Sequence, residues 1–341
     1  MIIRSKAPLR IGLAGGGTDV SPYSDIYGGA ILNATINSYA YASIIPNESG
    51  KIILNALDAG IREEYDTAER LEIDGTLDLL KGVYNRIVKD FSCKPLSFEL
   101  QTHVDAPPGS GLGSSSTLVV AILGAFVEWL KLPLGEYDIA HLAYEIERND
   151  LGFSGGKQDQ YAATFGGFNF MEFYADDKVI VNPLRIKEDY KNELEFNFSL
   201  YFTGTSRLSS VIIDDQTKNV KDKKEDPVIA MHQLKEQARE MKEALLRGSL
   251  KEIGFILDRG WQHKKRMSES ITTPEIDLIY EEAKKLGAIG GKVSGAGGGG
   301  FMMIYCPETK IPLVNGLNKM QGQIKDFQFT EKGLCTWTVM K

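Results

Sequence analysis

The chain has 341 residues, 43% hydrophobic and 25% charged, with a formal net charge of −7. That length exceeds the roughly 250 to 300 residues at which a single core stops growing, so two domains are expected, and the acidic balance excludes a general affinity for nucleic acid or an anionic membrane. The longest apolar run, residues 118–127, is too short to cross a bilayer, and Arg4, Lys6 and Arg10 interrupt any signal-peptide core, so a cytoplasmic location is expected.

Glycine-rich segments at residues 12–17, 109–113, 152–167 and 290–300 punctuate the chain without forming a repeat. Alternation in "LSFELQTHV" (96–104) predicts a half-buried strand and residues 117–130 a buried helix, so the glycine loop between them links strand to helix. In "LGEYDIAHLAYEIERND" (134–150), Ile139, Leu142, Ala143 and Ile146 fall at helical spacing, with Glu145 and Glu147 flanking the stripe. "FNFSLYFTG" (196–204) reads as a further strand. The charge-dense "DDQTKNVKDKKEDP" (214–227) has almost no apolar residue and predicts a surface loop or the approach to a new helix. Helical periodicity then covers residues 228–247, 249–266 and 274–286, ahead of a glycine loop and the strand "FMMIYC". Mixing without strict alternation favours α+β over a doubly wound sheet. A boundary near residue 190 divides the chain into 1–190 and 191–341. Cys93, Cys306 and Cys335 form no CxxC pair and the four histidines are scattered, so the thiols are expected to be reduced and mostly buried, with no zinc or histidine metal cluster.

The loop "PPGSGLGSSST" carries the clearest chemistry. It lacks the lysine of a P-loop and the third glycine of a dinucleotide motif. A phosphate can still be held there, because a helix amino terminus presents unpaired N–H groups and the positive end of its dipole. The candidate phosphate loop is Pro108, Gly109, Ser110, Gly111, Leu112, Gly113, Ser114, Ser115 and Ser116. A simple serine-capped turn is the alternative, and needs only one glycine and one serine.

This loop resembles the signature phosphate loop of the GHMP kinases, the superfamily of galactokinase, homoserine kinase, mevalonate kinase and phosphomevalonate kinase. "KAPLRIGLAGGGTD" (6–19) resembles their first motif and "KVSGAGGGGF" (292–301) their third, in the same order and spacing. The resemblance implies an α+β, two-domain fold: an N-terminal mixed α/β nucleotide-binding domain and a C-terminal ferredoxin-like domain. ATP and Mg2+ are the implied cofactors, with Ser115 and Glu147 at the metal; Glu145 replaces Glu147 if the register is wrong. Asp159, in "GGKQDQYAATFGG", matches the catalytic aspartate, one residue further from Glu147 than in mevalonate kinase but at galactokinase spacing. Arg10 matches the basic residue of the first motif, which would neutralise charge on the transferred phosphoryl; the plain reading is a strand-end surface arginine. Asp19, with Gly17 and Thr18, matches a position that holds sugar hydroxyls, and Ser294, Gly295, Ala296, Gly297 and Gly298 form the third-motif loop.

The form Gly-Gly-Gly-Thr-Asp and the run "FTGTSR" (202–207) are similar to the superfamily's heptose-phosphate branch. That similarity implies transfer to the anomeric hydroxyl of D-glycero-D-manno-heptose 7-phosphate. A 7-phosphate needs cations, because a buried dianion without partners is prohibitively costly. Arg207 is the first candidate, with Lys157 or Lys264, Lys265 and Arg266 as further ones. An unphosphorylated sugar such as fucose or galactose is the alternative acceptor, and a non-catalytic nucleotide and sugar binding regulator the alternative class.

Overall fold

In the computed structural model, which describes residues 1–204 and 209–340, β1 (Ile2–Ala14) and β2 (Gly29–Pro46) form a long antiparallel pair at the centre of the larger of two sheets. From Ala7 onward both faces of β1 are covered. Arg10 is therefore buried in mid-strand, 3% exposed, and is not a surface arginine. β3 (Lys51–Ala56), β4 (Ile61–Asp66) and β5 (Phe98–Val104) extend the sheet on the β2 side, while β6 (Phe168–Phe173) and β7 (Val179–Pro183) branch from the first half of β2. Within this sheet only the β3–β5 pair is parallel among the described residues.

The smaller sheet is wholly antiparallel: β8 (Phe198–Phe202), β9 (Gly290–Val293), β10 (Phe301–Tyr305) and β11 (Gln323–Lys325), in the order β11-β8-β10-β9. The last strand, β12 (Cys335–Val339), returns to the first sheet and pairs with β1. The helices are α1 (Tyr23–Tyr27), α2 (Asp78–Ile87), α3 (Ser114–Leu130), α4 (Glu136–Glu145), α5 (Gln158–Phe165), α6 (Glu188–Asn197), α7 (Ser209–Lys221), α8 (Glu225–Arg247), α9 (Leu250–Lys265), α10 (Pro274–Lys285) and α11 (Ile311–Leu317). This is the α+β arrangement expected, with one large core across the first sheet and a second around Tyr201, Trp261, Tyr280 and Met302. Among the described residues no helix is long and apolar enough to cross a membrane.

α3 is apolar on nearly every side and lies against β1 and β2. Its Phe126 meets Phe98 of β5 edge-on, ring centres 5.4 Å apart, a contact worth about 0.5 to 1.5 kcal/mol beyond the area it buries. That packing fixes where the amino terminus of α3 points. α4 does not run on to residue 150 as an α-helix: Ile146–Asp150 forms a wider π-helical turn, closed by the Leu151 N–H on the Ile146 carbonyl at 3.0 Å.

Two expectations from the sequence fail. Residues 214–221 are helical, part of α7, and α8 already starts at Glu225. The buried stripe of α7 is Ile212, Gln216, Asn219 and Val220, half of it polar, so hydrophobic periodicity does not reveal it. Of the three thiols only Cys306 is buried, Cys93 being exposed and Cys335 intermediate.

The phosphate loop and the third motif interlock through their backbones. The Phe301 N–H donates to the Ser110 carbonyl at 2.9 Å, and Ser294 Oγ to the Gly111 carbonyl at 2.9 Å. Gly300 sits at φ 84° with Ser110 O only 2.4 Å from where a Cβ would stand. A Gly300→Ala chain should lose at least about 1 to 2 kcal/mol of stability, read as a lower urea midpoint with an unchanged slope.

Candidate active site

A cleft of about 660 Å3 opens between the phosphate loop, the first motif, the turn before α5, and α7 and α9. Arg10 is at its centre. Its Nε and Nη2 both approach Asp159 Oδ1, each at 2.6 Å. Its Nη1 donates to the Gly111 carbonyl at 2.7 Å and to Ser294 Oγ at 3.4 Å. One guanidinium thus joins β1, the phosphate loop, α5 and the third motif, a geometry that needs arginine's planar fork. Both contacts to Asp159 fall on one oxygen; among the described residues Oδ2 has no hydrogen-bond partner.

Gly109, Gly111, Gly113, Ser114, Ser115 and Ser116 line the cleft with Pro108, at the amino terminus of α3. Ser110 and Leu112 are buried, supporting the loop: Ser110 Oγ meets Ser114 Oγ at 3.1 Å and the Leu112 carbonyl accepts from the Arg10 N–H at 3.1 Å. Gly113 faces Asp159, whose carboxyl carbon lies 3.1 Å from a Cβ built there. The phosphate loop and the candidate base are direct neighbours.

Glu147 stands in the π-helical turn, 1% exposed, a type of local widening frequent at functional sites. Ser115 Oγ donates to its Oε1 at 3.2 Å and Gln160 Nε2 to its Oε2 at 2.6 Å. Gln160 also reaches Ser116 Oγ at 3.1 Å, binding the two elements together. One carboxylate beside one hydroxyl is a set of hard oxygen donors suited to Mg2+, which usually takes one or two carboxylates and fills its shell with water and phosphate. Among the described residues no group of three His, Cys, Asp or Glu offers a metal cage. Glu145 points elsewhere, to Arg86 at 3.1 Å.

Asp19 is 1% exposed. Its Oδ2 accepts from the Lys157 and Gln158 N–H groups at 2.9 and 3.0 Å, and its Oδ1 from Gln158 Nε2 at 3.4 Å. The approach is close enough that a Cβ on Gly156 would stand 1.9 Å from Oδ2. Burial pushes the Asp19 carboxyl above its ordinary value, against the opposing pull of these N–H groups. Gly17 lines the cleft, but Thr18 does not: its hydroxyl donates to the Gly15 and Ala30 carbonyls at 2.8 and 2.9 Å and shapes the turn.

Among the expected cations, Lys157 is turned away, paired with Asp177 at 2.7 Å and Asp25 at 3.6 Å. Lys265 pairs with Asp277 and Arg266 with Asp226, and Arg207 lies outside the described residues. Lys264 alone of its run lines the cleft, its ammonium donating to the Gly295 carbonyl. Gly295 and Ala296 border the cleft, whereas Gly297 and Gly298 pack on Ile271, whose carbonyl accepts from the Gly298 N–H at 2.8 Å.

The sequence reading overlooked four neighbours. Gln160 and Gln158 sit within the quoted run around Asp159, and Gln216 within the run read as loop. Arg148 lines the cleft and holds the turn before α5 through the Gly156 carbonyl at 3.2 Å.

A lysine-free phosphate cradle at a helix amino terminus, facing an arginine-held aspartate across a cleft, defines a small-molecule kinase that uses ATP. The chain matches the GHMP kinases N terminal domain over residues 78–167 and the GHMP kinases C terminal domain over residues 241–319, and belongs to that family. It is 52% identical to D-glycero-alpha-D-manno-heptose 7-phosphate kinase of Campylobacter jejuni, over 99% of both chains. It is 49% identical to a D-glycero-D-manno-heptose 1-phosphate kinase from Bacteroides thetaiotaomicron, with a TM-score of 0.85 over 99% of this chain and 100% of that one. Identity to the L-fucokinase/L-fucose-1-P guanylyltransferase of Bacteroides fragilis is 26%, over 91% of this chain and 35% of that protein.

Burial lowers the Lys264 ammonium to about 8, helped by repulsion from Arg10. The folded chain holds this proton less tightly than the unfolded one, so charged Lys264 costs stability below about pH 8, and the cost fades as the pH rises toward lysine's ordinary value. Wild type should therefore gain on Lys264→Met between pH 7 and pH 10, by up to about 3 kcal/mol. Paired urea melts across that range would show a constant gap if this were wrong.

Proposed function

We propose that the chain transfers the γ-phosphoryl of ATP to the anomeric hydroxyl of D-glycero-D-manno-heptose 7-phosphate, giving the 1,7-bisphosphate. The single observation that carries the chemistry is the Asp159 carboxylate, held through Oδ1 by Arg10 and open at Oδ2, beside the phosphate loop. Oδ2 accepts the acceptor hydroxyl and then its proton as the oxygen attacks. An anomeric hydroxyl is more acidic than an ordinary alcohol, which eases that transfer to a carboxylate. Backbone N–H groups at Ser114 to Ser116 and the dipole of α3 hold the ATP phosphates, and Arg10 offsets the charge that develops on the transferred group. Mg2+, held by Ser115 and Glu147, would supply charge neutralisation and orientation of the phosphates. Asp19, aligned by the turn before α5, accepts sugar hydroxyls.

The acceptor rests on the relatives. Two of them are named for heptose phosphates, one for the 7-phosphate and one for the 1-phosphate. The anomeric oxygen of a 1-phosphate is already esterified, so an Asp159 base aimed at that oxygen favours the 7-phosphate.

The test is ADP release with heptose 7-phosphate, heptose 1-phosphate, free heptose and fucose, alongside product analysis. Turnover highest with the 7-phosphate is expected, and a preference for fucose or for the 1-phosphate would sink the assignment. Asp159→Asn should lower kcat by about 10²- to 10⁴-fold, since the amide cannot accept the proton; turnover equal to wild type would remove Asp159 from the chemistry.

A further inference from the structure

Lys292 opens the third motif and is 5% exposed, yet among the described residues its ammonium has neither an ion pair nor a hydrogen bond. Burial, with repulsion from Lys264 and Arg10, holds it well below lysine's usual value. An uncompensated buried ammonium is costly, and two side by side cost more. A packing role does not explain them, because a methionine would fill the same volume without that cost.

The two ammonium groups meet over a gap in the first motif. Among the described residues, chain neighbours aside, a Cβ built on Gly16 would meet Lys264 Nζ and Lys292 Nζ, each at 3.9 Å; one built on Gly12 would meet Gln158 Oε1 at 3.9 Å and Lys292 Nζ at 4.0 Å. Gly16, Gln158 and Lys264 line the cleft, and Lys292 and Gly12 stand directly behind them. It lies on the first-motif side of Asp159, whereas the ATP-phosphate loop approaches Asp159 through Gly113. Asp19 accepts from the Gln158 N–H at 3.0 Å, and the Gln158 side chain borders the gap with Lys292, so a sugar held by Asp19 lies beside the lysines.

We propose that Lys264 and Lys292, meeting over Gly16, form the pocket for the phosphate that the acceptor already carries, and so set the preference for a phosphorylated sugar. This rests on the substrate reading above. A phosphate dianion supplies the counter-charge that Lys292 lacks and adds to the one Asp19 offers Lys264, and charge-assisted hydrogen bonds to its oxygens offset their burial. The absence of side chains at Gly12 and Gly16 leaves it the room.

The discriminating quantity is the ratio of kcat/KM for heptose 7-phosphate to kcat/KM for free heptose. Losing one ammonium should lower that ratio by about 10- to 100-fold in Lys264→Met and in Lys292→Met, chiefly through KM of the phosphorylated sugar. Lys264→Gln serves as the second variant wherever a methionine chain is recovered unfolded. A ratio unchanged while both values fall together would mean that the lysines act on the transferred phosphoryl or on folding, and would overturn the proposal. So would a ratio unchanged with both values at wild type. If the unaltered chain turned over neither heptose, the substrate reading would fail first and this inference with it.

Discussion

Everything at the candidate site depends on a buried arginine placed in the middle of a strand. Arg10 is surrounded because β1 is covered on both faces, and a buried guanidinium must spend its donors well. They go to three other elements: the Gly111 carbonyl, the Ser294 hydroxyl and the Asp159 carboxylate. The loops that close the cleft come from residues about 100 and 284 positions away in the chain, so the site exists only once the tertiary fold does. The Phe301 N–H bond to the Ser110 carbonyl joins two of these elements, the glycine-serine loop and the third motif, without a charge.

Electrostatics divide the cleft in two. On the side proposed for ATP the glycine-serine loop has no lysine, and offers backbone N–H groups, serine hydroxyls and one carboxylate fit for a metal. On the other side, proposed for the sugar, the turn before α5 presents its N–H groups to Asp19, and the ammonium groups of Lys264 and Lys292 both approach Gly16. Arg10 and Asp159 form the seam between the halves.

Much of this was legible in the sequence wherever local chemistry left a mark. Glycine and serine in an ordered run betrayed the phosphate loop, and apolar residues all round betrayed α3. Asp19, Glu147 and Asp159 were recognisable from their motifs and do meet in one cleft. What stayed hidden has a common cause. Gln216 and Asn219 face inward from α7, so the helix buries polar groups and reads as a solvated loop. Lys292 lies in β9, one residue before the strand ends, where nothing local says that its ammonium ends near Lys264. Thr18 and Lys157 have side chains of binding type, but backbone carbonyls and the carboxylates of Asp25 and Asp177 already satisfy them. Spacing identifies residue types near a site; which way each side chain turns is decided by partners that spacing does not reveal.

The central claim is that Arg10 and Asp159 act as one unit, and a double-mutant cycle on kcat/KM tests it most directly. Arg10→Lys keeps the charge but cannot reproduce the fork, while Asp159→Asn keeps the shape but cannot accept the proton. If the two act together, the double variant should be little worse than Asp159→Asn alone, leaving a coupling of more than about 1 kcal/mol. Losses that simply multiply would show two independent residues and contradict the account.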